Sequence, residues 1–177
     1  YLDPVELDFS MIELACISGH NGAGKSSLLD AITWSLFGEA RGKSNDVINL
    51  NPEVKAAEVI FIFKHEENTY RVQRTLPRNK STLLEFQVRN GDTWRVLTEK
   101  TTRDTQARIE QILRLDYDTF VNASFFLQGK ADQFTQQNAS KRKDVLSNIL
   151  GLEIWEGYKN RTAEKRKSIE REVDEIE

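Results

Sequence analysis

The residues GHNGAGKS, numbers 19–26, fit the spacing G-x-x-x-x-G-K-[ST] at every fixed position. Each fixed residue has a physical task. Gly22 and Gly24 let the backbone turn tightly and bring its amides close to an anion, with no Cβ in the way. Those amides and the start of the following helix concentrate positive field on phosphate oxygens. Lys25 would then reach the β- and γ-phosphates, and the Ser26 hydroxyl would ligate Mg²⁺. The run Asn21, Gly22, Ala23, Gly24, Lys25, Ser26 and Ser27 is therefore the candidate nucleotide-binding set, with ATP and Mg²⁺ as expected ligands. His20 occupies a variable position and is expected to face solvent.

Gripping a triphosphate is only half of hydrolysis. Cleavage also needs an acidic residue after a second buried strand, with a glutamate to polarise water. The nearest apolar run, residues 59–63, is followed by Lys64 and His65 before Glu66 and Glu67, which fall at an expected hairpin tip. No L-S-G-G-type signature is present either; the one Ser-Gly pair, Ser18-Gly19, lies inside the loop. A GTPase would show N-K-x-D, but Asn79, Lys80, Ser81 and Thr82 lack the aspartate. A small-molecule kinase with a compact α/β fold remains an alternative of suitable size.

The elements that must position the loop follow from hydrophobic period and turn chemistry. Residues 5–9 and 12–18 read as strands, the second buried and ending at the loop. Residues 26–37 read as a helix with Leu28, Leu29, Ile32 and Leu36 on one face, terminated by Gly38. Residues 39–52 have no period and read as loop. Four antiparallel strands follow in two hairpins, one around residues 65–68 and one around Asn90-Gly91. Beyond residue 101 the chain turns helical. Ile109, Ile112 and Leu113 share a face, residues 118–124 form a short helix, and Ser140 is the expected N-cap of a helix over 141–150. The last stretch is charged. Its a and d positions would be Leu152, Trp155, Lys159, Thr162, Arg166, Ile169, Val173 and Ile176, a short coiled-coil start with an exposed seam. The expected fold is mixed α/β: an N-terminal lobe with a phosphate-loop β–α unit and an antiparallel meander over residues 1–151, and the root of an outgoing helix over 152–177.

Composition narrows the classes. At 177 residues the chain suits one domain or a domain with an appendage, and 30% charged residues fit a long exposed helix. The net charge of −3 gives no global case for nucleic acid, so such contacts would rest on local patches. Cys16 is the one cysteine, which rules out an internal disulfide and fits a reducing, cytoplasmic setting. No apolar run is long enough to span a membrane. The start at Tyr1 reads as part of a longer polypeptide.

The order of these features resembles a known group. A strand, "GHNGAGKSSLLDAITWSLFG", a meander, a helix, "FVNASFFLQGKADQF" and a charged helix are similar to the N-terminal half of the ATPase head of SbcC-type DNA double-strand-break-repair ATPases, relatives of SMC and ABC-transporter ATPases. The segment SFFLQGKADQF, residues 124–134, separates SbcC-type heads from the others. The resemblance implies an ABC-ATPase-type head whose Q-loop glutamine is Gln128, a catalytic residue beside Lys25 that reaches Mg²⁺ and the attacking water. An amide can ligate a metal through oxygen and orient water through its NH₂.

The same resemblance implies a split head. A C-terminal half would supply signature and Walker B residues after an intervening coiled coil, so this chain alone should hydrolyse ATP negligibly. Two heads would close on ATP as a homodimer and regulate a bound SbcD-type nuclease acting on double-stranded DNA ends, in the cytoplasm or on the nucleoid. Trp155 and Tyr158 become candidate nuclease contacts. Arg71, Arg74, Arg78 and Lys80, then Lys141, Arg142 and Lys143, and the basic run over 159–167 become candidate DNA contacts. An SMC-like architectural head, without a nuclease partner, is the nearer alternative.

Overall fold

The computed structural model describes residues 3–41, 47–123, 138–150 and 152–174. It divides into two units, Tyr1–Leu113 and Arg114–Glu177.

In the first unit, α1 (Lys25–Phe37) precedes four strands, β1 (Ala56–His65), β2 (Asn68–Pro77), β3 (Leu83–Asn90) and β4 (Thr93–Val96), and then α2 (Thr102–Leu113). The strands form one antiparallel sheet in sequence order. The first turn is Glu66-Glu67, with Glu66 at φ 52. The second lies one residue later than the sequence suggested. Asn90 pairs with Thr93, so Gly91 and Asp92 form the turn, and Gly91 takes φ 60.

Period-two alternation sorts each strand into two faces. Tyr70, Val72, Arg74 and Leu76 of β2 and Leu84, Phe86 and Val88 of β3 point into the core. Phe61, Phe63, Tyr70 and Phe86 stack in series with ring centroids 5.4–5.8 Å apart. Against this sheet pack α1 and α2, with Ile109 of α2 fully buried. Helix α2 starts on a reciprocal cap: Asp104 N–H donates to Thr101 Oγ1 at 3.1 Å, and the Thr101 hydroxyl donates to Asp104 Oδ2 at 2.7 Å.

Two expectations change here. Residues 5–9 and 12–18 carry no strand pairing, although Ile12 N–H closes a turn onto Phe9 O at 3.0 Å. A strand exists only through its neighbours, and Val5, Leu7, Phe9, Ile12, Leu14 and Ile17 are all exposed. Helix α1 also departs from a single apolar stripe. Leu29 is exposed, whereas Thr33, Trp34, Ser35, Leu36 and Phe37 are buried around the whole last turn. The reason is geometric: that end is wedged between β1, β2 and α2, with Trp34 in a cluster with Ile48 and Leu76.

In the second unit are α3 (Tyr117–Ala123), α4 (Ala139–Ile149) and α5 (Glu153–Asp174), with α3 packed on α4. Asp116 Oδ1 caps α3 by accepting from Thr119 N–H at 2.7 Å. Helix α4 begins earlier than expected, and its cap is Asn138 rather than Ser140: Asn138 Oδ1 accepts from Lys141 N–H at 2.8 Å. Along α5, Trp155 and Tyr158 meet edge to face at 5.9 Å, and both are exposed, as is Ile169 further along the helix.

Candidate phosphate-binding site

The loop before α1 is built around two left-handed glycines, Gly22 at φ 83 and Gly24 at φ 86. A Cβ at either position would oppose the backbone conformation itself. Gly24 is also the N-cap of α1, and its side chain, a hydrogen, can offer no capping oxygen. With no acidic residue in the first turn either, the positive end of the helix is left without a carboxylate of its own. That is the arrangement an external anion would complete.

Lys25 folds back over the loop. Its Nζ donates to Gly19 O at 2.7 Å and to His20 O at 2.8 Å. His20 also accepts from Ala23 N–H at 3.2 Å, so its part in the loop is played by its carbonyl. Gly24 O accepts from Ser27 N–H at 2.9 Å and Leu28 N–H at 3.3 Å, starting the helix. Asn21, Gly22, Ala23 and Ser27 are exposed, while Gly24, Lys25 and Ser26 are half-buried. The structure thus brings the phosphate-loop residues together on one open surface. Gln128 lies outside the described residues.

The donor set suits a nucleoside triphosphate with Mg²⁺: backbone amides, one ammonium and one hydroxyl. No group of three or more His, Cys, Asp or Glu able to hold a metal occurs among the described residues. The Ser26 hydroxyl is an oxygen donor of the kind Mg²⁺ takes alongside phosphate oxygens and water. The acidic candidates fare differently. Residues 59–63 belong to the outermost strand β1, and Glu66 and Glu67 are its turn, so they offer no carboxylate pair at the end of a buried strand.

At the far end of α1 lies a polar cluster that belongs to no sequence motif. Gly38, at φ 75, closes the helix by donating its N–H to Trp34 O at 2.8 Å. Arg74 Nε donates to Ser35 O at 3.1 Å, and its Nη2 donates to Gln106 Oε1 at 2.5 Å. Gln106 Nε2 in turn donates to Leu36 O at 2.9 Å and to Glu110 Oε1 at 2.8 Å. Burial lowers the Arg74 pKa to about 10, partly offset by the Glu110 carboxylate, so the guanidinium stays charged at neutral pH. The signal was in the alternation: Arg74 falls in phase with Tyr70, Val72 and Leu76, which point inward.

This removes Arg74 from the hairpin cluster of candidate DNA contacts. Arg74 is interior. Arg78 holds the preceding loop, donating to the carbonyls of Asn49, Asn51 and Val54 at 2.9–3.3 Å. Arg71 lies on the outer face with its guanidinium 4.9 Å from the Trp94 ring centroid. Lys80 is exposed, as are Lys141 and Lys143 in the second unit, with Arg142 half-buried. Arg41 pairs with Asp30 of α1 through two hydrogen bonds of 2.8 and 2.7 Å.

A family model described as an AAA domain, AAA_23, matches residues 1–177. Among curated proteins, the chain is 32% identical over 173 residues to a probable DNA double-strand break repair Rad50 ATPase of Aquifex aeolicus, covering 96% of this chain and 17% of that protein. It is 31% identical over 155 residues to the SbcC component of the nuclease SbcCD of Deinococcus radiodurans, covering 83% and 17% respectively. For the Bacillus subtilis protein of the same name the values are 31% over 148 residues, 78% and 13%. The chain therefore spans about a sixth of the length of these relatives. No helix among the described residues is long and apolar enough to cross a membrane.

Proposed function

This chain belongs to the AAA-domain family AAA_23 and aligns with the N-terminal part of Rad50 and SbcC proteins, and from that premise we propose that it is the nucleotide-gripping half of a DNA-repair ATPase head. The observation that carries the reading is the loop itself. Lys25 is tethered over two loop carbonyls at the open N-terminus of α1, with Ser26 beside it.

The chain's own residues divide the work simply. The amides of residues 21–27 and the helix start hold phosphate oxygens, and Lys25 exchanges its carbonyl partners for the β- and γ-phosphates. Ser26 would hold Mg²⁺ through its hydroxyl, and the ion would neutralise charge on the transferred phosphoryl group when bound. Gln128 would help to hold the metal through its amide oxygen and would orient the attacking water through its NH₂. Binding and orientation belong to this half, and the carboxylates of cleavage to a C-terminal half of the same head.

The exposed apolar run over residues 5–17 supports that division. Leu14 is 93% exposed and Val5 53%, which an isolated lobe would not favour but a strand partner would cover. In the complete protein, two heads close around ATP. Their opening and closing controls an SbcD-type nuclease at double-stranded DNA, with Trp155 and Tyr158 as the nuclease-facing pair and the basic residues of α4 and α5 along the duplex. The lobe occupies residues 1–151 and the coiled-coil root residues 152–177.

The test is turnover. The 177-residue chain alone should show negligible ATP hydrolysis, and adding the C-terminal half in trans should restore it. Strong hydrolysis by the chain alone would contradict the division of labour, and phosphate transfer to a small acceptor would favour a kinase instead.

A further inference from the structure

We propose that Arg74 and Gln106 are positioning residues for the phosphate loop: together they fix the C-terminal carbonyls of α1 to β2 and α2, so that the loop at its other end is presented on an anchored rod. The inference rests on the nucleotide-binding reading above.

The last turn of any helix leaves carbonyls without intrahelical donors. In α1 three of them are taken in sequence by donors from three places: Trp34 O by Gly38 N–H, Ser35 O by Arg74 of β2, and Leu36 O by Gln106 of α2. Arg74 and Gln106 are themselves tied at 2.5 Å, and Gln106 reaches Glu110 one turn along α2. Strand, crossing helix and phosphate-loop helix thus share one hydrogen-bond network.

Two further facts mark the arrangement as a built one. Gly38 makes room for it: a Cβ there would stand 3.0 Å from Arg74 Nη1. A positive side chain also faces the negative end of the α1 dipole. Thirteen residues place this clamp about 20 Å from the loop. The N-terminal half of α1 is only partly covered, with Leu29 exposed, so the buried C-terminal turn is where the helix is held. A helix free to tilt at that turn would move the loop amides relative to Ser26 and Lys25 as a body.

The test is nucleotide affinity in the full-length protein, using a fluorescent ATP analogue with Mg²⁺ at a temperature where every variant is folded by circular dichroism. Gln106→Met should raise Kd about fivefold and speed hydrogen exchange at the amides of residues 22–26 about threefold. Gln111→Met, the same change on the exposed side of α2, should do neither. Arg74→Lys, which keeps charge but cannot bridge Ser35 O and Gln106 together, provides a second reading if Gln106→Met folds poorly, and it too should weaken binding. Unchanged Kd and exchange in either folded variant, with only a lower Tm, would overturn the proposal and leave a structural brace. If Lys25→Ala binds nucleotide as well as the parent, the nucleotide-binding reading itself fails and takes this inference with it.

Discussion

Replacing Arg74 by methionine separates an interior brace from a surface charge, because Arg71 lies three residues away on the opposite face of the same strand. Two effects compete at Arg74. Its pKa is lowered to about 10 by burial, and holding the charged form there costs about 3 kcal/mol. Against that stand its hydrogen bonds to Ser35 O and Gln106 Oε1, each involving a charged donor and worth about 2–3 kcal/mol, with both acceptors left unpaired in the variant. The balance leaves Arg74→Met less stable by about 2 kcal/mol.

For Arg71→Met the lost contact is a ring stack of about 0.5–1 kcal/mol, and Arg71 Nε is buried without a hydrogen-bond partner, so its removal also relieves a cost. That variant should fall within about 0.5 kcal/mol of the parent. Urea unfolding followed by far-ultraviolet circular dichroism measures both. The two variants should also differ in their pH dependence. The folded state releases the Arg74 proton at lower pH than the unfolded state, so above about pH 10 the unfolded chain binds more protons. The parent should therefore gain stability relative to Arg74→Met as pH rises through that point. Equal losses for the two arginine variants, or a gap that narrows above about pH 10, would refute the assignment of Arg74 as a buried, charged brace.

Other outcomes follow from the same geometry. Gly38→Ala forces a left-handed residue to carry a Cβ and presses it on Arg74 Nη1, so thermal unfolding should report a loss of about 1–3 kcal/mol. Lys25→Ala should abolish binding of magnesium-ATP by fluorescence titration while leaving Tm near the parent value, since among the described residues the Lys25 ammonium bonds to two loop carbonyls. In the complete head, Gln128→Ala should keep nucleotide affinity and remove most turnover, a split read from steady-state hydrolysis beside a binding titration.

Much of the sheet was legible because its code is local. Alternating apolar residues and two-residue turns specify hairpins without reference to distant chain, and all four strands appear where the alternation runs. The phosphate loop was legible for the same reason: glycine, lysine and serine at fixed spacing act within one turn of backbone. Helix starts were less so. Asn138 and Ser140 are both good caps by type, and which one is used depends on where the helix begins packing.

What lay beyond local code was decided by neighbours. Residues 12–18 are as apolar as a buried strand, yet a strand needs a partner to be one, and composition cannot supply it. Arg74, Arg78 and Lys80 look alike as cations in a row. Strand phase turned the first inward, a loop of bare carbonyls captured the second at the exposed surface, and the third is exposed as well. Sequence by itself determined the glycine, lysine and serine spacing proposed to grip a phosphate, because those residues are consecutive. Only the tertiary structure decided how the helix behind that grip is held, because its carbonyls find their donors 39 and 70 residues away, and no local pattern records a contact made across that distance.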